Sequence, residues 1–438
     1  MKTRYARLKE TWGGYASRWT HIGLVGSLLY WGIIGGLVGV AAGSASALFL
    51  YGLDRVTDAR LAHGWLLWLL PVGGAAVSYL YLKVGKDAAK GNNLILAQIH
   101  GEPGSVPLRM APLALIGTWL THLFGGSAGR EGTAIQMAGS LADGIGRTLR
   151  LNAFDRKLLL MCGISSGFGS VFGTPLAGTV FGLEVLAIGL MRYEALLPCF
   201  VASFVGDRVT AAWGIRHLSY DMGPVPAMSA PLLGKVLLAA ILFGLAGLLF
   251  SELTRYLKAL FAKRIPHLVL RSFGGGLLVI GMVYLFGTRD YLGLGIPLIQ
   301  HAFEESVSPF AFLLKTLFTS VTLGAGFQGG EVTPLFAIGA TLGSALAPYL
   351  HLAAPFLAAI GFVSVFCGAT NTPIACFLLG IELFGAEGAV YLFLGCVVSY
   401  LFSGHTGIYA AQRIGISKSG AVLVPNESTL ASLRSRRK

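Results

Sequence analysis

Two glutamates, Glu131 and Glu331, lie in apolar, glycine-rich stretches and share one frame, Gly-x-x-Gly-x-Glu-x-Thr-x-x-x-x-x-Gly. Gly126, Gly129, Glu131, Thr133 and Gly139 recur as Gly326, Gly329, Glu331, Thr333 and Gly339, a shift of 200 residues. A carboxylate in hydrocarbon surroundings is costly unless it is protonated, paired or facing water, so each is a candidate for handling charge. Glycines before each glutamate leave the backbone bare, and the residues after it, 134–141 and 335–342, suit a helix. A helix that begins inside a membrane aims unpaired N–H groups and its positive dipole end at whatever precedes it, which makes an anion site. Pro334 fits the first turn of the second such helix. The competing reading is that the glycines only allow close helix packing. The repetition and the embedded glutamates favour the site.

The two glutamates invite different roles. Glu131 stands where an anion would approach a helix start, so its carboxylate could occupy the site and swing away when protonated. It would then be gate and proton carrier together. Glu331 would repel an anion of its own sign, so it is expected to hold a proton in transit, to be a neutral acid, or to cap its helix. Arg130 would draw anions inward or pair with a carboxylate. Glu184 and Glu382 each follow a Thr-Pro helix start by ten residues (Thr174-Pro175 and Thr372-Pro373), and structural pairing is the expectation for both. Asn92-Asn93, after Gly91, brings amide donors to a further helix start, where the second copy has Leu294-Gly295. Tyr409 offers a phenolic donor or is an interfacial aromatic. No His-Glu-x-x-His, Gly-x-Ser-x-Gly or paired-aspartate arrangement speaks for an enzyme, and no catalytic residue, metal site or cofactor is expected. Cys162, Cys199, Cys367, Cys376 and Cys396 sit in apolar surroundings and are expected to be buried small hydrophobes.

The elements that must position these residues are membrane elements. Only 12% of the chain is charged and 54% is hydrophobic, with a mean hydropathy of +0.70, against about 25% charged residues in soluble domains. Runs 22–50, 65–82, 236–250 and 356–366 are nearly free of charge, and the shorter ones read as tilted, broken or re-entrant helices. The run 22–50 is too long for a secretory signal and reads as the first membrane helix. The net charge of +13 is no nucleic-acid signature, because basic residues gather in 2–18, 83–90, 147–157, 255–264 and 434–438, between or beyond the apolar runs. Such clusters mark cytoplasmic loops, so both termini are expected in the cytoplasm. Gly91, Leu96 and Gln98 recur as Gly293, Leu298 and Gln300, and Glu184 as Glu382, at nearly the same offset as the glutamate frame. The chain is therefore expected to be an all-α polytopic membrane protein built as an inverted-topology repeat with its site at the midplane. Its expected divisions are a basic segment 1–21, membrane repeats 22–220 and 221–416, and a short cytoplasmic tail 417–438.

These residues resemble the CLC family of chloride channels and anion–proton antiporters over about 22–416. Gly129-Arg130-Glu131-Gly132-Thr133 is similar to the family's Gly-Lys/Arg-Glu-Gly-Pro segment, whose glutamate is the external gate. Gly330-Glu331-Val332-Thr333-Pro334 is similar to Gly-x-Phe-x-Pro, with Val332 in place of Phe. Tyr409 falls on the central tyrosine, and Asn92 takes the place of the anion-coordinating serine. Thr133 for Pro, Asn92 for Ser and Glu331 in the second loop resemble the fluoride–proton antiporter branch. Val185 falls where the family's inner proton glutamate stands, with Glu184 just before it, so Glu331 becomes the candidate inward-side proton group. The resemblance implies a homodimer in a bacterial inner membrane that exports fluoride against protons. Gating and proton transfer would fall to Glu131 and Glu331. Anion contacts would come from Asn92, Tyr409 and the backbone around Gly132-Thr133 and Val332-Thr333. A chloride–proton antiporter or a passive anion channel is the alternative within the fold; a membrane-embedded enzyme or a scaffold lies outside it.

Overall fold

The computed structural model describes residues 20–217, 219–304, 307–419 and 428–435. Most of the expected basic segment 1–21 and parts of the tail 417–438 lie outside the described residues. The fold is all-helical with many broken helices. The first half holds α1 (Thr20–Ala62), α2 (Leu70–Leu80), α3 (Asn92–Ile99), α4 (Met110–Leu123), α5 (Glu131–Thr148), α6 (Ala153–Phe172), α7 (Pro175–Glu184) and α8 (Leu196–Ala212). The second half holds α9 (Ala230–Arg264), α10 (Leu268–Phe286), α11 (Ile296–Glu304), α12 (Ala311–Gly324), α13 (Val332–Leu350), α14 (Ala354–Thr370), α15 (Pro373–Phe384) and α16 (Ala389–Phe402). A short α17 (Leu430–Ser435) follows. Among the described residues six helical stretches are long and apolar enough to cross a membrane. At about 1.5 Å per residue, α3 and α11 fall far short of a hydrocarbon core about 30 Å thick.

Two expected runs need correction. The first helix does not end near residue 50: α1 has 43 residues and carries Asp54, Arg55, Asp58 and Arg60 in its last turns. The run 65–82 is not one helix. It divides into a 3-10 segment (Gly64–Leu69), α2 and a π-helical turn (Tyr81–Gly85), with Pro71 near the start of α2 and Gly73-Gly74 inside it.

The halves repeat one packing plan. α1 packs on α6 and α8, α5 on α6, and α4 on α5; correspondingly α9 packs on α14 and α16, α13 on α14, and α12 on α13. Glycines of the repeated frame bring the paired backbones into contact. A Cβ on Gly339 of α13 would lie 2.1 Å from the carbonyl oxygen of Gly361 on α14, and one on Gly361 would lie 2.2 Å from that of Gly339. In the first half a Cβ on Gly163 of α6 would lie 2.9 Å from the Cα of Gly139 on α5.

The halves are also cross-capped. Proline opens α7 and α15, and Thr174 and Thr372 before them make no side-chain cap. The orphan N–H groups are met from the other half. Leu176 and Ala177 donate to the Glu382 carboxylate at 2.9 and 2.8 Å, and Ile374 and Ala375 donate to Glu184 at 3.1 and 2.8 Å. The expected structural pairing of these glutamates is therefore a reciprocal exchange of caps, with charge-assisted bonds at both helix starts. All five cysteines are buried and free, as expected.

Each buried donor left without an acceptor costs about 1–3 kcal/mol, so Glu184→Ala should destabilise the protein by about 2–5 kcal/mol. Glu184→Gln, which keeps an acceptor oxygen, should cost less. Glu382 is more exposed than Glu184, and its removal should cost less than Glu184→Ala. Thermal unfolding in detergent checks the order, and an unchanged Tm for Glu184→Ala would remove the cap from the account.

Candidate functional site

The two glutamate loops meet in the protein interior. Gly129 donates to the carbonyl of Gly330 at 2.6 Å, and Gly330 returns the bond to Gly129 at 2.8 Å. This antiparallel bridge is possible because side chains are missing there: a Cβ on Gly330 would lie 2.8 Å from the Gly132 nitrogen. Gly125 and Gly326, one in each loop, take φ of +89° and +100°, a region that favours glycine. α5 begins at Glu131 and α13 at Val332, so the bridge sets two helix N-termini against each other.

Glu131 crosses from its own helix to the other half. Its Oε2 accepts from the Arg130 N–H at 3.1 Å and from the Thr333 N–H at 3.0 Å. Its Oε1 accepts from the Thr333 hydroxyl, and the Arg130 guanidinium lies 3.7 Å away. The carboxylate is fully buried and occupies the N-terminal cradle of α13, where a bound anion would find the same donors. Arg130, expected either to pair or to steer anions, sits between this carboxylate and the ring of Phe172, 5.9 Å from its centroid. Thr133, at the matching position of the first copy, does otherwise: its hydroxyl bonds Thr118 of α4 at 2.6 Å.

Glu331 is the N-cap residue of α13, but its side chain makes no capping hydrogen bond. The capping role is thereby corrected: the donors it would have capped are held by Glu131. Lys258, near the end of α9, is the cation that acts on Glu331, and Glu131 is a carboxylate that does.

Asn92 and Tyr409 converge from two further elements. Asn92 begins α3 after Gly91, whose φ is +58°, and its Nδ2 lies 3.2 Å from where a Cβ on Gly132 would stand. Tyr409 is buried, and among the described residues its hydroxyl has no hydrogen-bond partner. Both line a cavity of about 10 Å³ together with Leu96, Ile135, Phe181 and Val185, which is room for about one water-sized particle. The Tyr409 ring packs edge-on against Phe181 at 6.4 Å, and Phe181 stacks on Phe168 at 4.4 Å.

Asn93, read beside Asn92 as an amide donor, and Gln412, which no motif marks, position the site, and a further amide, Gln136, lies buried near it. Asn93 accepts from the Ala411 N–H at 3.0 Å and so ties the start of α3 to the Tyr409 segment. Gln412 is fully buried and donates to Val185 and Thr370 at 3.0 and 2.9 Å while accepting from Asn371. Gln136, one turn into α5 from Gly132, is buried with an unpartnered Oε1; a lone amide in an apolar run was its only signal. The chain after Tyr409 is more than a tail. β2 (Arg413–Ile414) pairs in parallel with β1 (Ala187–Ile188), and Leu430 and Ala431 of α17 donate to Gln412 and Ala410. Among the described residues no group of three His, Cys, Asp or Glu side chains could hold a metal.

Comparison with known proteins agrees with this geometry. A family model described as voltage gated chloride channel matches residues 73–404. A protein of Pseudomonas syringae pathovar tomato named chloride/fluoride channel protein is 52% identical over 410 residues, which are 92% of this chain and 90% of that one. The crystal structure of a CLC-type fluoride/proton antiporter superposes with a TM-score of 0.86 at 36% identity, covering 88% of this chain and 98% of that one. A slow cyanobacterial chloride/proton antiporter shares the fold, with a TM-score of 0.73 at 22% identity over 85% of this chain and 93% of its own. A match that spans both glutamate loops and most of the chain identifies it as a member of the CLC family of voltage gated chloride channels and anion transporters.

Proposed function

We propose that this protein is a secondary transporter that exports fluoride in exchange for protons. The observation that carries the reading is the Glu131 carboxylate in the N-terminal cradle of α13, held by the Thr333 backbone and hydroxyl. An acid that occupies an anion's donors can alternate with that anion. Unprotonated, it fills the cradle; protonated, it loses its attraction for N–H and O–H donors and yields them, carrying one proton as one anion passes. Glu331, which makes no cap, would load or release the proton from the other side. Fluoride is small, strongly hydrated and an exceptionally good hydrogen-bond acceptor, so a site for it must replace water with donors. Asn92 and Tyr409 line a cavity for one small particle, and the N–H groups at Gly132-Thr133 and Val332-Thr333 would supply further donors at the two helix starts. The similarity to the Pseudomonas chloride/fluoride channel protein and to the CLC-type fluoride/proton antiporter supports the choice of ion.

The wider assignment has the same standing. The packing plan shared by the two halves supports inverted repeats over about 22–220 and 221–416. The basic clusters support a bacterial inner-membrane protein with cytoplasmic termini, and the family supports a homodimer. With fluoride and protons as its partners, the protein needs no cofactor.

Proteoliposomes that report fluoride efflux and proton uptake together test this. Glu131→Gln should abolish proton uptake, whereas proton-coupled efflux that survives the substitution unchanged would overturn the mechanism. Chloride efflux matching fluoride, or flux with no proton movement, would favour the chloride antiporter or the passive channel of the same fold.

Two further substitutions separate the roles. Glu331→Gln should reduce proton uptake more than fluoride efflux, because it leaves the donors intact; equal loss of both would assign it a structural part. A hydrogen bond contributes about 1 kcal/mol, so Asn92→Ser should shift the fluoride-to-chloride flux ratio several-fold toward chloride. An unchanged ratio would take Asn92 out of selectivity.

A further inference from the structure

A second concentration of positive charge lies away from the Glu131 cradle, at the end of α1. A cavity of about 250 Å³ is lined there by Arg60, Arg289, Gly125, Leu292, Leu294 and Gly295, among others. Glycines make the room. A Cβ on Gly293 would fall 2.9 Å from the Arg60 guanidinium, and one on Gly64 would fall 2.4 Å from that of Arg289. Behind the cavity wall a Cβ on Gly295 would meet the Lys315 side chain at 2.9 Å.

The charge here is only partly balanced by protein, since one acid, Asp290, lines the cavity with Arg60 and Arg289. Lys315 is fully buried, and its ammonium donates only to neutral acceptors: Ser127 Oγ at 3.0 Å, the Tyr291 carbonyl at 3.1 Å and the Gly293 carbonyl at 2.8 Å. Among the described residues Arg60 makes no hydrogen bond or ion pair, and its Nε is shut off from solvent. Arg60 acts electrostatically on Arg289, Lys315 and His122, all groups that carry positive charge when protonated. The acid lining the cavity, Asp290, accepts from the Thr288 hydroxyl at 2.6 Å and pairs with neither arginine. Crowded cations that outnumber their counter-charges and pair with none are costly in low-dielectric surroundings, and a bound anion relieves that cost.

The surroundings say what would carry the anion. The segment just beyond α1 presents Trp65 and Trp68, 59% and 58% exposed, with Leu61 at 69% on the cavity rim. Trp68 lies against Tyr284 of α10, ring centroids 5.4 Å apart. Exposed tryptophan and tyrosine beside an apolar helix face mark the level of lipid headgroups, and guanidinium forks suit phosphate oxygens. The cavity is also far larger than a single halide needs.

We propose that this cavity is a binding site for a phosphate group, presented by an anionic phospholipid whose acyl chains lie along Leu61, Trp65 and Trp68. Its occupant would neutralise Arg60 and Arg289 and so lower the field on Lys315. Lys315 in turn holds Ser127, four residues before Glu131, which places the lipid one contact from the gate loop. Lipid binding is read independently of the transported ion, so its failure and that of the antiport reading are separable.

The test uses the intact protein, delipidated in detergent and titrated with phosphatidylglycerol. Native mass spectrometry should find one phosphatidylglycerol retained per chain, with a rise in Tm. Loss of one guanidinium contact at about 1.4 kcal/mol corresponds to tenfold in affinity, so Arg289→Gln, an exposed change that spares the core, should weaken retention about tenfold. Arg60→Gln with Arg289→Gln should abolish it. Lys83→Gln with Lys86→Gln, which removes two exposed cations elsewhere, should bind as the parent does. Retention of the lipid by the double arginine variant, or equal retention of phosphatidylcholine, would overturn the proposal. Inorganic phosphate reproducing the Tm rise without lipid would reject the lipid as the source of the anion.

Discussion

Two hydrogen bonds between Gly129 and Gly330 hold together everything else in this structure. They join backbone to backbone in the apolar middle of the fold, where an unpaired N–H or C=O would be expensive. The same pair of bonds therefore satisfies both loops and fixes how far apart α5 and α13 start. A side chain would block this approach, because a Cβ on Gly330 would lie 2.8 Å from the Gly132 nitrogen. Neighbouring contacts stitch the seam further: Gly293 donates to Gly126 at 3.2 Å, and Ser127 donates to the Thr322 hydroxyl at 3.2 Å.

Across that seam, reciprocity and its failure separate scaffold from mechanism. Glu184 and Glu382 exchange caps symmetrically, and each meets two N–H groups of the other half. Such an arrangement is static, because each carboxylate is needed where it is. Glu131 and Glu331 occupy matching sequence positions but do not reciprocate. Glu131 crosses to Thr333, while Glu331 makes no matching cap. Thr133, left without a carboxylate partner, turns to Thr118. The second glutamate is thus released from scaffold duty in the half where the first has taken over its donors.

What was legible in the sequence was local, and what was not was relational. The glycine frame, the helix starts after it and the Thr-Pro openings of α7 and α15 are written in adjacent residues, and all appear where expected. The apolar run 65–82 misled because mean hydropathy does not register where one helix type gives way to another, the 3-10 turn before Pro71 and the π turn after Leu80. The end of α1 was missed because charges such as Asp54 and Arg60 look like a loop until their spacing on one long helix is seen. That Glu131 would rest on Thr333 depends on two segments 200 residues apart, and no window along the chain contains it. Gln136 and Gln412 look like ordinary polar residues, and only their burial sets them apart.

Their burial bears on how the site can work. Tyr409 is fixed from its own segment by Gln412, whose side chain spends both donor bonds on Val185 and Thr370. Asn93 ties that segment to the turn that carries Asn92. The donors around the small cavity are therefore held by contacts that do not depend on its contents, so the cavity need not collapse if, as proposed, the Glu131 carboxylate leaves the cradle beside it. A rigid set of donors and one movable acid is the division of labour that exchange of an anion for a proton requires. If the donors followed the carboxylate, the anion would find no site. If the carboxylate were as fixed as Glu184, it would never give the site up.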